Sequence, residues 1–246
     1  MSANDSKPKP HWLGHRDRLR RKLIERSASA LEDYELLETL LFAFLPRRDV
    51  KPVAKDLLKR FGSLSALLAA APLDIADTKG MGETSAAYLK AAYELSNRAA
   101  LEEIAAKPVI SSWTALLTYI RSQLQHETRE QFRVLFLDRK NQLLKDEIMS
   151  SGTVDQAAVY PREIARRALE LAASSLILVH NHPSGDTTPS RADIDLTREL
   201  IDALQALDIS IHDHLIVGTG GVTSFKATGL ISVSYTHLTL PTICSV

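Results

Sequence analysis

Leu176-Ile177-Leu178-Val179 runs straight into His180-Asn181-His182-Pro183-Ser184-Gly185-Asp186, and Ser190-Arg191-Ala192-Asp193 follows after residues 187–189. Four consecutive apolar residues predict a buried strand, along which successive side chains face opposite sides. His180 and His182 therefore share a side, separated by roughly two strand rises of ~3.3 Å each. That spacing lets both imidazoles reach one ion. Pro183, Gly185 and Pro189 stop the strand and turn the chain back. Ser190 has the chemistry of a helix N-cap, which places Asp193 at the third position of a helix starting near Arg191. From there its carboxylate can point back at the histidines.

Two imidazoles and one carboxylate make three protein ligands, the number a catalytic zinc site uses when its fourth position is left to water. A structural zinc site would draw on four ligands rich in cysteine, and no cysteine lies near. Zinc lowers the pKa of coordinated water toward ~7 and polarises a carbonyl, so the chemistry implied is hydrolysis. The competing account is a solvated turn after a buried strand. A bare His-x-His carries little weight against it, but the strand before, the Ser-x-x-Asp after and the turn residues between favour one metal ion, Zn2+.

The run His180-Asn181-His182-Pro183 with Ser190-Arg191-Ala192-Asp193 resembles the H-x-H-P…S-x-x-D motif of the JAB/MPN/JAMM metalloprotease superfamily. More narrowly, residues 180–186 with Thr188-Pro189-Ser190 resemble the bacterial RadC family, named for DNA repair, and the likeness extends from about Gly14 to Leu230. It implies a JAB/MPN-like α/β domain, a mixed sheet with packed helices layered as in cytidine deaminases. In the superfamily an upstream glutamate is the general base. Glu130, Glu147 and Glu163 are the candidates here. Glu130 is preferred because it stands where a helix gives way to the strand at 132–137, the order the superfamily uses. A carboxylate at Glu163 is already explained by the start of a helix, and Glu147 by a solvent-facing strand. By the same resemblance Ser190 would donate to the oxyanion while also capping its helix. Asp186 sits in a Gly-Asp turn and is left out of the ligand set. His212, Asp213 and His214 read either as partners behind the ligands, as a second metal site, or as edge-strand polar residues, the last preferred.

With 246 residues the chain has room for one or two domains with a sizeable core. Lys plus Arg equal Asp plus Glu at 30 each, so bulk charge gives no argument for a nucleic-acid partner. The single cysteine, Cys244, excludes a disulfide framework and fits a reducing cytoplasm. No secretory or membrane-length apolar run is present, so no membrane partner is expected.

Residues 1–13 read as a disordered tail and 14–106 as a small all-α domain. The block 15–26 predicts a basic helix with Leu19, Leu23 and Ile24 inward, exposing Arg20 and Arg21. Helices follow at 31–44, with Glu35 and Glu38 outward, at 53–61 closed by Gly62, at 63–70 and at 86–100. Gly80-Met81-Gly82 between helices resembles the hairpin of helix-hairpin-helix DNA-binding modules, with Gly80 and Gly82 approaching phosphate. A tight turn in which both glycines take positive φ is the equal alternative. Pro108 marks a linker, with Ser112 capping a helix at 113–124. Residues 107–231 then form the hydrolase domain, with strands at 132–138, 143–149 and 210–217 and helices at 161–172 and 194–207. Residues 232–246 resemble a translated sequencing adaptor and are treated as non-native. The expected activity is cleavage of an amide or isopeptide bond in a peptide or protein substrate. The alternatives are a DNA-binding accessory protein and a zinc-stabilised scaffold.

Overall fold

The computed structural model describes residues 11–46, 48–152 and 159–231. Of the expected tail at 1–13, residues 1–10 lie outside them, as does the whole of 232–246, whereas residues 11–13 are helical. The chain divides into two compact units, one ending at Ala99 and the other starting at Ala100. Among the described residues, no helix is long and apolar enough to cross a membrane.

The first unit is helical: α1 (His11–Arg26), α2 (Asp33–Phe44), α3 (Lys51–Phe61), α4 (Leu64–Ala69), α5 (Pro72–Ala76) and α6 (Glu83–Ala105), which continues into the second unit. Leu19, Leu37, Leu41, Val53, Leu57, Leu67, Ile75 and Leu89 close one apolar core. Burying a Leu or Val side chain contributes about 1.5–3 kcal/mol, so this stripe selects which helix faces turn inward. Local signals end the helices where expected. Gly62 at φ 83° closes α3, and the Ser63 hydroxyl accepts from Ala66 N at 3.1 Å to open α4. The guanidinium of Arg16 is buried and donates to the carbonyls of Leu45 (3.0 Å), Pro46 (2.6 Å) and Arg48 (2.5 Å), tying down the α2–α3 connection.

Two expectations fail here. Ile24 is 82% exposed, whereas Glu38 is buried beside Leu37 and Leu41 with its carboxylate 3.0 Å from His15 Nε2. Side-chain polarity sets the inward stripe only until a partner from another helix satisfies a buried charge. In the 80–82 turn only Gly80 has positive φ, at 94°. A Cβ there would lie 2.8 Å from Val53 Cγ2, and the Gly80 carbonyl accepts from Arg48. Packing thus accounts for Gly80, while Gly82 faces open space.

The second unit holds α7 (Trp113–Leu124), β1 (Gln131–Leu137), β2 (Leu143–Ser151), α8 (Pro161–Glu170), β3 (Ser175–Asn181), α9 (Arg191–Gln205), β4 (Ser210–Gly218) and β5 (Gly221–Ser224). Among the described residues these strands form one mixed sheet in the order β2-β1-β3-β4-β5. β1 is antiparallel to β2 and β3, β3 is parallel to β4, and β5 returns antiparallel to β4. All seven residues of β3 are buried, as a strand covered on both faces requires. Ile177 and Val179 pack with Leu135, Leu215 and the α7 residues Leu116 and Ile120. Leu176 and Leu178 pack on the other side with Val134, Phe136, Ile164 of α8 and Leu200 of α9. The expected α/β architecture of a mixed sheet with packed helices, preceded by a helical region, is what forms. Ser112 does not cap α7; its hydroxyl turns back to the Pro108 carbonyl at 3.2 Å within a 3₁₀ turn over Val109–Ser112. The four-residue β5 was not foreseen, because its pattern is too short to stand out from a glycine-rich turn.

Gly80→Ala should lower the unfolding free energy by about 1–3 kcal/mol, through a left-handed non-glycine residue and the Val53 contact. Gly82→Ala should leave it equal or up by about 0.4–1 kcal/mol, since a compatible site loses only unfolded-state freedom. Paired urea melts of the two variants check both signs.

Candidate metal centre

β3 ends at the site. His180 and Asn181 are its last two residues, and His182 follows with its main-chain N–H held by the Val217 carbonyl at 2.9 Å. Pro183 and Gly185, the latter at φ 86°, then reverse the chain. Ser190 opens α9 through a reciprocal cap: its hydroxyl accepts from Asp193 N at 3.2 Å, and its own N–H donates to Asp193 Oδ2 at 2.7 Å. The cap fixes the Asp193 carboxylate toward β3. Asp193 Oδ1 lies 3.2 Å from His180 Nε2 and Oδ2 lies 3.5 Å from His182 Nε2, while the two Nε2 atoms are 3.0 Å apart. One ligand atom from each residue can therefore meet at a single point; all three lie within 4.8 Å of one another.

The surrounding hydrogen bonds decide which ring nitrogens carry protons. His182 Nδ1 faces the Asp186 carbonyl at 2.7 Å, and a carbonyl only accepts, so Nδ1–H is the donor. Thr197 Oγ1 spends its one proton on the Asp193 carbonyl at 2.5 Å and so accepts from His214 Nδ1 at 2.7 Å. His214 Nε2 is then the acceptor for His180 Nδ1–H at 2.8 Å. Complete burial holds the His214 pKa well below its ordinary value, which keeps that ring neutral and the assignment consistent. In both neutral ligand rings Nε2 is left as a lone pair. Two lone pairs and a carboxylate then converge with no donor among them, and a cation is what such a set binds. Without one a proton serves: the Asp193 hydrogen bond raises the His182 pKa against the opposing effect of burial. Burial alone would raise Asp193, but its bonds to His180, His182 and Ser190 hold it far below the carboxylate range.

Apolar rings wall the site. Phe132 stacks on His180 with centroids 6.1 Å apart, and Phe225 packs on His214 at 4.6 Å. The loop after the histidines is seated on the β4–β5 turn. A Cβ on Gly218 would come within 2.5 Å of the Gly185 carbonyl oxygen, so no larger residue fits there without moving that loop.

The remaining candidates separate cleanly. Phe132 pairs with His180 in the β1–β3 register, and Glu130 lies two residues before Phe132 on the approach to β1. The Glu130 charge helps raise the His182 pKa, placing the carboxylate within electrostatic reach of the ligands. Glu147 is tied to Arg167 at 2.7 and 2.5 Å, which depresses its pKa. Glu163 stands in the first turn of α8 against Arg166 at 3.1 Å. Asp186 uses its side chain to cap Thr188 at 2.9 Å and only its carbonyl toward His182. The edge-strand reading of His214 is overturned: β4 runs between β3 and β5, and His214 is fully buried. Its neighbour Asp213 binds Ser224 Oγ (2.5 Å) and Lys226 N (2.9 Å), and His212 turns to Asn141 Oδ1 at 2.6 Å. Sequence reasoning gave Thr197 no role. A Thr one turn after Asp193 on α9 is the signal it offered, legible only once β4 is known to cross behind. Arg20, Arg21, Gly80 and Gly82 belong to the other unit.

A mixed sheet whose central strand ends in His-x-His, answered by a Ser-x-x-Asp helix cap, defines a JAB/MPN-type domain. Residues 110–230 match the family model described as RadC-like JAB domain, and residues 12–87 match that described as UPF0758 N-terminal. The chain belongs to the RadC family.

Purified protein should bind close to one divalent ion per chain, and His180→Ala, His182→Ala and Asp193→Ala should each abolish it in elemental analysis. His214→Leu should weaken metal affinity about 10–100-fold in a chelator competition, by freeing the His180 tautomer. Gly218→Ala should weaken it in the same assay by displacing the Gly185 loop.

Proposed function

We propose that this chain is a zinc-dependent hydrolase of amide or isopeptide bonds in a peptide or protein substrate. The observation that carries this reading is the convergence of His180 Nε2, His182 Nε2 and the Asp193 carboxylate with no hydrogen-bond donor among them. Zinc held by such a set supplies Lewis acidity and lowers the pKa of a coordinated water toward ~7. Glu130 takes the proton of the attacking water and passes it to the leaving nitrogen. The Ser190 hydroxyl uses its lone pair on Asp193 N, which leaves its proton to donate to the developing oxyanion. Phe132 and Phe225 lower the local dielectric, so charges formed there interact more strongly than in water.

Glu130→Gln should cut hydrolysis of an isopeptide-linked or unstructured peptide substrate by about 10²–10⁴-fold while leaving metal content unchanged. Equal activity in the two proteins would remove Glu130 from the mechanism. Loss of all activity on chelation, with recovery on adding zinc, is the accompanying control.

A second reading concerns the first unit. Arg18, Arg20 and Arg21 are exposed on α1, so this helix has guanidinium groups to offer to phosphates. If it binds DNA, Arg20→Glu with Arg21→Glu should weaken duplex binding, and log K should fall against log salt with a slope near −0.9 per phosphate neutralised. Metal content should not change.

A further inference from the structure

The metal reading gives His180 and His182 a task and leaves Asn181, between them, without one. Strand alternation turns Asn181 to the opposite face of β3, where it is 1% exposed. Its carboxamide is fully engaged. Oδ1 accepts from Gln131 N at 2.8 Å, and Nδ2 donates to the carbonyls of Arg129 (3.1 Å) and Glu127 (3.3 Å). The two carbonyls lie on the connection between α7 and β1, and the Gln131 amide on the first residue of β1. Glu130 stands between the bound Arg129 carbonyl and the bound Gln131 amide, and its own carbonyl accepts from Gly152 N at 3.0 Å. The peptide groups on both sides of Glu130 are therefore held by one side chain, and that side chain grows from the strand that carries two metal ligands.

We propose that Asn181 is a positioning residue, clamping the Glu130 segment to the metal-ligating end of β3 so that the base and the ligands keep one fixed separation. The inference rests on the reading of Glu130 as the base. It explains the residue type. Only a carboxamide offers an acceptor and two N–H donors at this reach, whereas aspartate loses both donors and would face two carbonyls. A glutamine is one methylene longer and would push the segment away. It also explains why the clamp sits inside the ligand motif. A base must come within hydrogen-bond reach of the proton it removes, and a displacement of about 1 Å can cost 10²-fold in rate. Alternation along a strand lets neighbouring residues serve both ends of that distance.

The test is made on the full chain loaded with cobalt(II), with ¹³C-labelled glutamate carboxyl groups. The Glu130 signal is assigned by its disappearance in Glu130→Gln, and its paramagnetic shift is taken against the zinc-loaded protein. A large shift is expected in the unaltered chain. In Asn181→Ser, with metal content retained, that shift should collapse toward the zinc value and the Gln131 amide should exchange with solvent faster. Asn181→Thr, which carries the same single hydroxyl, should lose the shift likewise. If the folded Asn181→Ser protein keeps the full shift, the proposal is wrong. If both variants fail to fold, Asn181 is a core residue and the proposal is again overturned. A Glu130 signal with no shift in the unaltered chain sinks the reading of Glu130 itself, a different result from either.

Discussion

Two imidazole lone pairs held 3.0 Å apart, with a carboxylate across from them, form a cluster that only a cation or a proton can keep together. The cost of such a cluster shapes everything around it. Each outward-facing ring nitrogen must be tied, or the ring would turn and its lone pair would be lost to the site. The Asp186 carbonyl ties His182. His214, itself ordered by Thr197, ties His180. Buried polar chains of this kind are stable only when every member is satisfied, since one unpaired member costs more than the chain gains. That requirement reaches outward to the glycines that let the Gly185 loop approach β4.

The sheet supplies the rigidity. β3 lies at its centre with hydrogen-bonded neighbours on both sides and apolar helices on both faces, so its end cannot drift. The carboxyl end of a strand in such a sheet is where side chains emerge from a fixed frame into a crevice, which is why ligand sites gather there. α9 brings the third ligand from a helix start, and the cap that begins the helix is the same contact that aims the carboxylate. Local folding and site assembly are one event at Ser190 and Asp193.

Much of this was legible in the chain because the signals are short-range. The strand and turn at 176–186, the Ser190 cap, the helix at Trp113–Leu124 and the glycine closing α3 all follow from neighbours a few residues apart. The failures have long-range causes. Glu38 goes inward because His15 arrives from another helix, and His214 is interior because β5 covers the strand that would otherwise be the edge. In both cases a polar residue was assigned to solvent, and a partner far along the chain reversed the balance.

By itself, then, the sequence determined the ligand types, their alternation on one strand face and the cap that presents Asp193, because strand period and helix capping depend on residues within a few positions. Only the tertiary structure decided that His214 and Thr197 set the tautomer of His180, that Glu147 is bound to Arg167 while Glu130 lies within electrostatic reach of His182, and that Asn181 holds the segment beside it. Those outcomes depend on which strands lie side by side. That choice is made by burial of apolar faces across the whole sheet, a sum over distant residues that no local pattern contains.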